Sequence, residues 1–439
     1  MTGGRTKDVE VVRRTRRRRR TALAGVAAAA ALSAACAPMP EVPPGPVTFV
    51  EHVVDASLPG AAFVVRAQVK GDARPEIVAS SFVNAVGGPG RVSVYEPGAT
   101  LDDWTRSDVV TPADGIRFPN EPTVGDLDGD GDADVVVTGG FFPCEFSGTP
   151  CGTLAWFEQT SGGWVRHDLV GPGSPAYHRA VLTDVDGDGV NDLVTVAETA
   201  TTATTEWFRG TTSGNRFEAT PRTIGSGGGA LPVVADVDGD GDDDVISGEF
   251  FTGARSFVWF ERQADPSPSQ PAGQWADHTI TAALGGGFQV TGVPDLLGDG
   301  VLRWVGTNHV NTVLNGPNPP SAAFLLTPGV DPTQPWATQP LSSGIQARVT
   351  GPGSLSPGGL APGDVDDDGR TDLVVSGDGD DRLFWLRQEA DGSFTTYAYD
   401  SGMGQAGPPV VADLDADGRV EIVSGSFEAG KIVVYDPAP

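Results

Sequence analysis

A nine-residue acidic frame recurs seven times along the chain, and no other feature limits its fold as tightly. It reads DLDGDGDAD from Asp126, DVDGDGVND from Asp184, DVDGDGDDD from Asp236, DVDDDGRTD from Asp364 and DLDADGRVE from Asp413. Two weaker copies, QVKGDARPE from Gln68 and DLLGDGVLR from Asp295, keep the frame with fewer acids. Successive starts lie 58, 58, 52, 59, 69 and 49 residues apart, a spacing that marks a repeat architecture. The intact copies are followed by β-branched runs (VVVTGG, LVTVAE, VISGEF, LVVSGD, IVSGSF), and short apolar stretches such as LPVVA come before. The unit is strand, acidic turn, strand.

Two further landmarks follow each turn. A third strand reads LAWFE, TEWFR, FVWFE or LFWLR, with VSVYE, AAFLL and IVVYD as weaker versions. A fourth opens on an aromatic, as in WVRHDLV, WADHTI and SFTTYAYD. Six such fourth strands serve seven units, and VTFVEHVVD at residues 47–55 matches the missing one. This predicts an all-β fold over residues 47–439, a seven-bladed β-propeller of four-stranded blades whose last blade is completed by the N-terminal strand. Closing the ring in this way removes exposed sheet edges.

The acids within one turn repel each other, by roughly 4 kcal/mol per pair at ~4 Å and an effective dielectric near 20. A bound cation relieves that repulsion. Ca²⁺ takes six to eight hard oxygen ligands, which alternating carboxylates around a glycine bend can supply. The first turn offers the side chains of Asp126, Asp128, Asp130 and Asp134 and the carbonyl of Asp132. The equivalent sets are Asp184, Asp186, Asp188, Val190 and Asp192; Asp236, Asp238, Asp240, Asp242 and Asp244; Asp364, Asp366, Asp368, Arg370 and Asp372; and Asp413, Asp415, Asp417, Arg419 and Glu421. About five calcium sites are expected. In the weaker copies, Lys70 or Arg303 stands where it can supply a fixed cation, the alternative being simple loss of the site.

These repeats resemble the FG-GAP and VCBS families, whose calcium-loaded blades also build the propeller of integrin alpha chains. The resemblance implies the propeller fold and structural calcium. It does not imply an activity, because the fold hosts adhesins, scaffolds, lectins and some polysaccharide lyases.

The N-terminal segment has a different character. Residues 1–35 carry a run of arginines followed by a small apolar stretch, the pattern of an export signal. LSAAC, ending at Cys36, resembles a bacterial lipobox with leucine one place early. Lipidation of Cys36 is the expectation, and ordinary cleavage near Ala35 the alternative. Residues 36–46 then form a proline-rich tether. The formal charge of −29 becomes −36 once residues 1–35 are removed, which excludes nucleic acid as a partner and leaves contact with a membrane to the lipid alone. Export also allows Cys144 and Cys151 to close a disulfide.

In propellers of this type the remaining turns lie on the face opposite the acidic ones, and conspicuous loops on a rigid scaffold often carry function. Here those loops contain Phe142, Glu145, Phe146, Tyr177, His178, Arg179, Glu249, Phe251, Arg255, Asn308 and His309. They suit a protein or glycan ligand on a cell-surface or cell-envelope module. A carbohydrate-active, lyase-like enzyme is the alternative, with His178 or His309 as base and Arg179 as clamp. No spacing selects a catalytic set.

Overall fold

The second strand of each blade is apolar along nearly its whole length because both of its faces are covered. In blade two, Val135 and Val137 pack against blade one, while Val136 between them packs against blade three. All three are at most 2% exposed. The same two-sided burial runs around the ring. One buried apolar cluster fills each junction between neighbouring blades, including the junction of blade seven with blade one. Trp156, Trp207, Trp259 and Trp385 all lie in these junctions and are at most 2% exposed.

The structure is a computed structural model. It describes Met1 and residues 42–438, apart from 72–73, 84–87, 142–143, 145–149, 200, 251–253, 310–321, 347–357 and 378–379. The chain divides into the units Met1–Met39 and Pro40–Pro439, and the account that follows concerns the second. Seven four-stranded antiparallel sheets make up the ring. Blade one comprises Ala61–Ala67, Glu76–Ser81, Arg91–Pro97 and Trp104–Val110, paired in that order. Blades two to six repeat the order over residues 123–174, 180–226, 233–281, 286–340 and 360–400. Blade seven takes three strands from residues 410–438 and its fourth from Thr48–Asp55, which pairs with Lys431–Ala438 from Thr48 opposite Ala438 onward. One 3-10 turn spans Pro112–Asp114, and among the described residues no helix is long and apolar enough to cross a membrane.

Of the tether expected over residues 36–46, the described part is not a free spacer. The Ala398 N–H donates to the Pro43 carbonyl at 3.1 Å, and Val42 packs against the cluster between blades five and six. A Cβ on Gly45 would lie 2.9 Å from the Trp385 ring, so the chain can follow this path only with glycine there.

Candidate metal centres

Each acidic turn joins the first and second strands of a blade, so all of them emerge on one face of the ring. In blade two, Asp126 folds the turn around itself: its Oδ1 accepts the Gly129 N–H at 2.7 Å and its Oδ2 the Gly131 N–H at 3.1 Å. Asp128 and Asp130 each accept an N–H two residues on, at 3.0 and 2.8 Å. Gly131 has φ +95°, which an L side chain rarely adopts. At position four the copies in blades six and seven place Asp367 and Ala416 at φ +55° and +65°, so the turn tolerates some strain to keep its shape.

The ninth residue anchors the turn to the sheet. Asp134 is 1% exposed and accepts the N–H groups of Leu127 and Gln159 at 3.0 and 2.9 Å. Asp192, Asp244 and Asp372 make the same two kinds of bond, and Glu421 accepts the Leu414 N–H at 2.7 Å. Burial is the main cause that pushes these carboxyls up when no cation is present. Asp134, Asp192 and Asp372 reach about 6, and Asp244 and Glu421 about 7. Backbone donors oppose the shift and neighbouring carboxylates add to it.

Five turns bring three carboxylates together, with one oxygen from each lying within 4.8 Å of the others. The trios are Asp126, Asp128 and Asp134; Asp184, Asp186 and Asp192; Asp236, Asp238 and Asp240; Asp364, Asp366 and Asp372; and Asp413, Asp415 and Glu421. Asp130, Asp188, Asp368 and Asp417 stand outside these trios, as does Asp244. Oxygen donors alone, spaced in this way around a glycine turn, fit a hard divalent cation. Asp186 Oδ1 and Asp366 Oδ1 are moreover buried without a hydrogen-bond partner, a state that a bound cation would relieve.

The repeat frame does not mark the residue two places after Trp156, Trp207, Trp259, Trp385 and Val434 in the third strands of the acidic blades. It is Glu158, Glu261 or Asp436 in blades two, four and seven, but Arg209 or Arg387 in blades three and six. Arg209 Nε meets Asp186 Oδ2 at 2.5 Å and its Nη2 meets Asp188 Oδ2. Arg387 Nε meets Asp366 at 2.5 Å and its Nη2 meets Asp368 at 2.6 Å. The alternation is visible in the letters WFE and WFR, but only the strand register places the side chain over the turn. Where the residue is Glu, a fourth-strand histidine lies beside it: His167 is 2.7 Å from Glu158 and His278 2.6 Å from Glu261.

The two weaker copies differ from each other. In blade five, Arg303 replaces the ninth acid and pairs with Asp299 at 2.6 Å, holding that carboxyl below its usual range. In blade one, Lys70 is exposed, and Glu76 keeps the anchoring bond from the Val69 N–H at 2.8 Å.

At the opposite face the expected recognition residues prove to be interior. Tyr177, His178, Glu249, Asn308 and His309 are all at most 5% exposed. The Tyr177 hydroxyl faces Glu206 at 3.4 Å, and His178 Nδ1 lies 2.9 Å from Glu198. Arg179 is held by both oxygens of Glu121 at 2.7 and 2.9 Å. Arg255 donates to Glu249 at 2.6 Å and pairs with Asp277. Asn308 bonds the Leu284 carbonyl and the Ala322 N–H, and the His309 ring sits 4.7 Å from that of Phe250. Phe142, Glu145, Phe146 and Phe251 lie outside the described residues, as does Cys36. Cys144 and Cys151 are disulfide-bonded with their Cα atoms 5.7 Å apart. Phe63 of blade one packs in one cluster with Leu231 and Phe250 of blade four and Phe288 of blade five. These blades face one another across the ring, so apolar side chains fill its centre at this end.

Seven four-stranded blades with carboxylate trios in five of their first turns define a β-propeller with cation-type turns. The FG-GAP-like repeat family matches residues 184–247 and 364–424, and the FG-GAP repeat family matches residues 118–150; the molecule is a β-propeller that carries FG-GAP repeats. No curated protein matches the sequence. Among solved structures it is similar to the Bacillus licheniformis rhamnogalacturonan lyase PL11, at 14% identity and TM-score 0.45, over 91% of this chain and 74% of that one. It is also similar to the rhamnogalacturonan lyase YesW, at 14% identity and TM-score 0.41, over 90% and 74%.

Proposed function

We propose that this protein is an exported, calcium-braced β-propeller that serves as a binding or scaffold module of the cell envelope, held by a lipid on Cys36 and presenting its loops to a protein or glycan. The observation that carries the calcium reading is the set of five carboxylate trios, four of which include the buried ninth residue of the turn. Calcium supplies positive charge to each turn. The protein's part is to hold the ligands: Asp126 shapes the loop and Asp134 ties it to the third strand, and their counterparts do the same in the other blades. A site held at ~100 times its dissociation constant adds about 2.7 kcal/mol to native stability. Folding would then depend on reaching a calcium-rich compartment.

Binding is favoured over catalysis because His178, Arg179 and His309, the residues a lyase would use, are committed to internal contacts. Calorimetric titration of the chelator-stripped protein, with thermal melting alongside, tests the calcium reading. About five sites and a large rise in melting temperature are expected; little heat and an unchanged melt would overturn it. Mass spectrometry of the membrane-extracted protein tests the lipid, and a Cys36→Ala variant should lose membrane attachment.

A further inference from the structure

Strand register makes one third-strand position equivalent in all five acidic blades. Trp156 lies opposite Val136, Trp207 opposite Val194, Trp259 opposite Ile246, Trp385 opposite Val374 and Val434 opposite Val423. In each case the second-strand partner sits two residues past the ninth turn position. Two residues beyond the first of each pair come Glu158, Arg209, Glu261, Arg387 and Asp436. At one backbone position, therefore, the ring places an acid three times and an arginine twice.

Each arginine holds one oxygen of the carboxylates at positions three and five of its own turn. This leaves Asp186 Oδ1 and Asp366 Oδ1 buried and unpartnered, so the trios Asp184, Asp186, Asp192 and Asp364, Asp366, Asp372 persist. A ligand set remains, but with a fixed cation beside it. We propose that Arg209 and Arg387 divide the cation sites into two classes: obligatory, tight sites in blades two, four and seven, and weak sites in blades three and six whose turns keep their fold without an ion. The inference rests on the calcium reading above.

The physical reason is the same in both directions. A fixed guanidinium repels an incoming divalent ion, and it also removes the carboxylate repulsion that would otherwise open the empty turn. An acid at the same position supplies no fixed cation to its turn, so the two classes differ in the charge that the chain carries at one place. Blade five continues the series: Arg303 occupies the ninth position itself and pairs with Asp299, and no carboxylate trio forms there.

The test is calorimetric titration of the chelator-stripped protein with calcium alone, paired with hydrogen exchange of each turn. Three sites should bind at least about tenfold more tightly than the other two, a gap of about 1.4 kcal/mol. In stripped protein, residues 184–192 and 364–372 should stay protected while residues 126–134, 236–244 and 413–421 exchange quickly. Arg209→Gln with Arg387→Gln should bring the weak pair toward the tight class, and Glu158→Arg should move one tight site out of it. Five equivalent sites, uniform exchange, or weaker binding after loss of the arginines would overturn the division and leave the calcium reading standing. No binding and no calcium-dependent exchange in any turn would overturn both.

Discussion

In blade two the ninth residue of the turn is Asp134, buried and drawn upward in pKa, with the carboxylates of Asp126 and Asp128 converging on it. In blade five the same position holds Arg303, which pairs with Asp299 and leaves Asp295 to fold the turn by accepting the Gly300 N–H at 2.5 Å. Both turns join the same two strands. On the calcium reading proposed above, the first holds its acids together with charge drawn from outside the chain, while the second uses charge the chain carries. A repeat can thus surrender its ligands without surrendering its strand pair, provided a basic residue takes over the electrostatic work. What changes is where the blade's stability comes from.

Removing calcium should have the largest effect on this comparison. With several sites each contributing about 2–3 kcal/mol, the stripped protein should melt more than 10 °C lower, and hydrogen exchange should rise in the turn of blade two but not in that of blade five. Equal loss in both turns would break the comparison. Single substitutions come next. Asp134→Ala removes a ligand and leaves the Leu127 and Gln159 amides unpaired, and should cost about 3 kcal/mol in urea unfolding with calcium present. Arg303→Ala breaks an ion pair whose Asp299 side is 46% exposed and should cost under about 1 kcal/mol. Similar costs would mean that the arginine does more than balance charge.

Glu206 offers a third solution and the smallest effect. It is 8% exposed, and burial pushes its carboxyl up to about 7, against the pull of the Tyr177 hydroxyl. The folded chain holds this proton where the unfolded chain has released it, so the group's contribution is full below about 4.5 and is lost as pH rises toward 7. Glu206→Gln keeps the neutral shape. It should melt a few degrees above the parent at pH 8, with the difference vanishing near pH 4; a constant difference across that range would mean the proton is not what settles this acid.

The propeller was legible from its turns because each acidic frame marks the same corner of the same strand pair, and two-sided burial leaves second strands such as DVVVTG almost purely apolar. The closing strand was legible as well, since VTFVEHVVD carries the fourth-strand pattern. The opposite face was not. Tyr177, His178, Glu249 and Asn308 have the composition of a recognition surface, yet each is buried by partners that only the ring brings near. Arg179 meets Glu121 from 58 residues away, and Tyr177 meets Glu206 from 29. Polar residue types report exposure only where their partners are local. Arg209 and Arg387 fell between these cases: their letters were plain, but their reach over the turn required the register.

The latch between Thr48–Asp55 and Lys431–Ala438 also dictates an order of events. Blades one to six each form from strands that follow one another closely, so they can assemble as the chain emerges. Blade seven cannot, because its outer strand is made first and its inner three last, with nearly the whole ring between them. Joining segments so far apart is slow relative to local pairing. Until it happens, Lys431–Ala438 presents a bare edge able to accept a strand from another molecule. The vulnerable species in the life of this protein is therefore an open ring with six finished blades, and its lifetime is set by a single closure step.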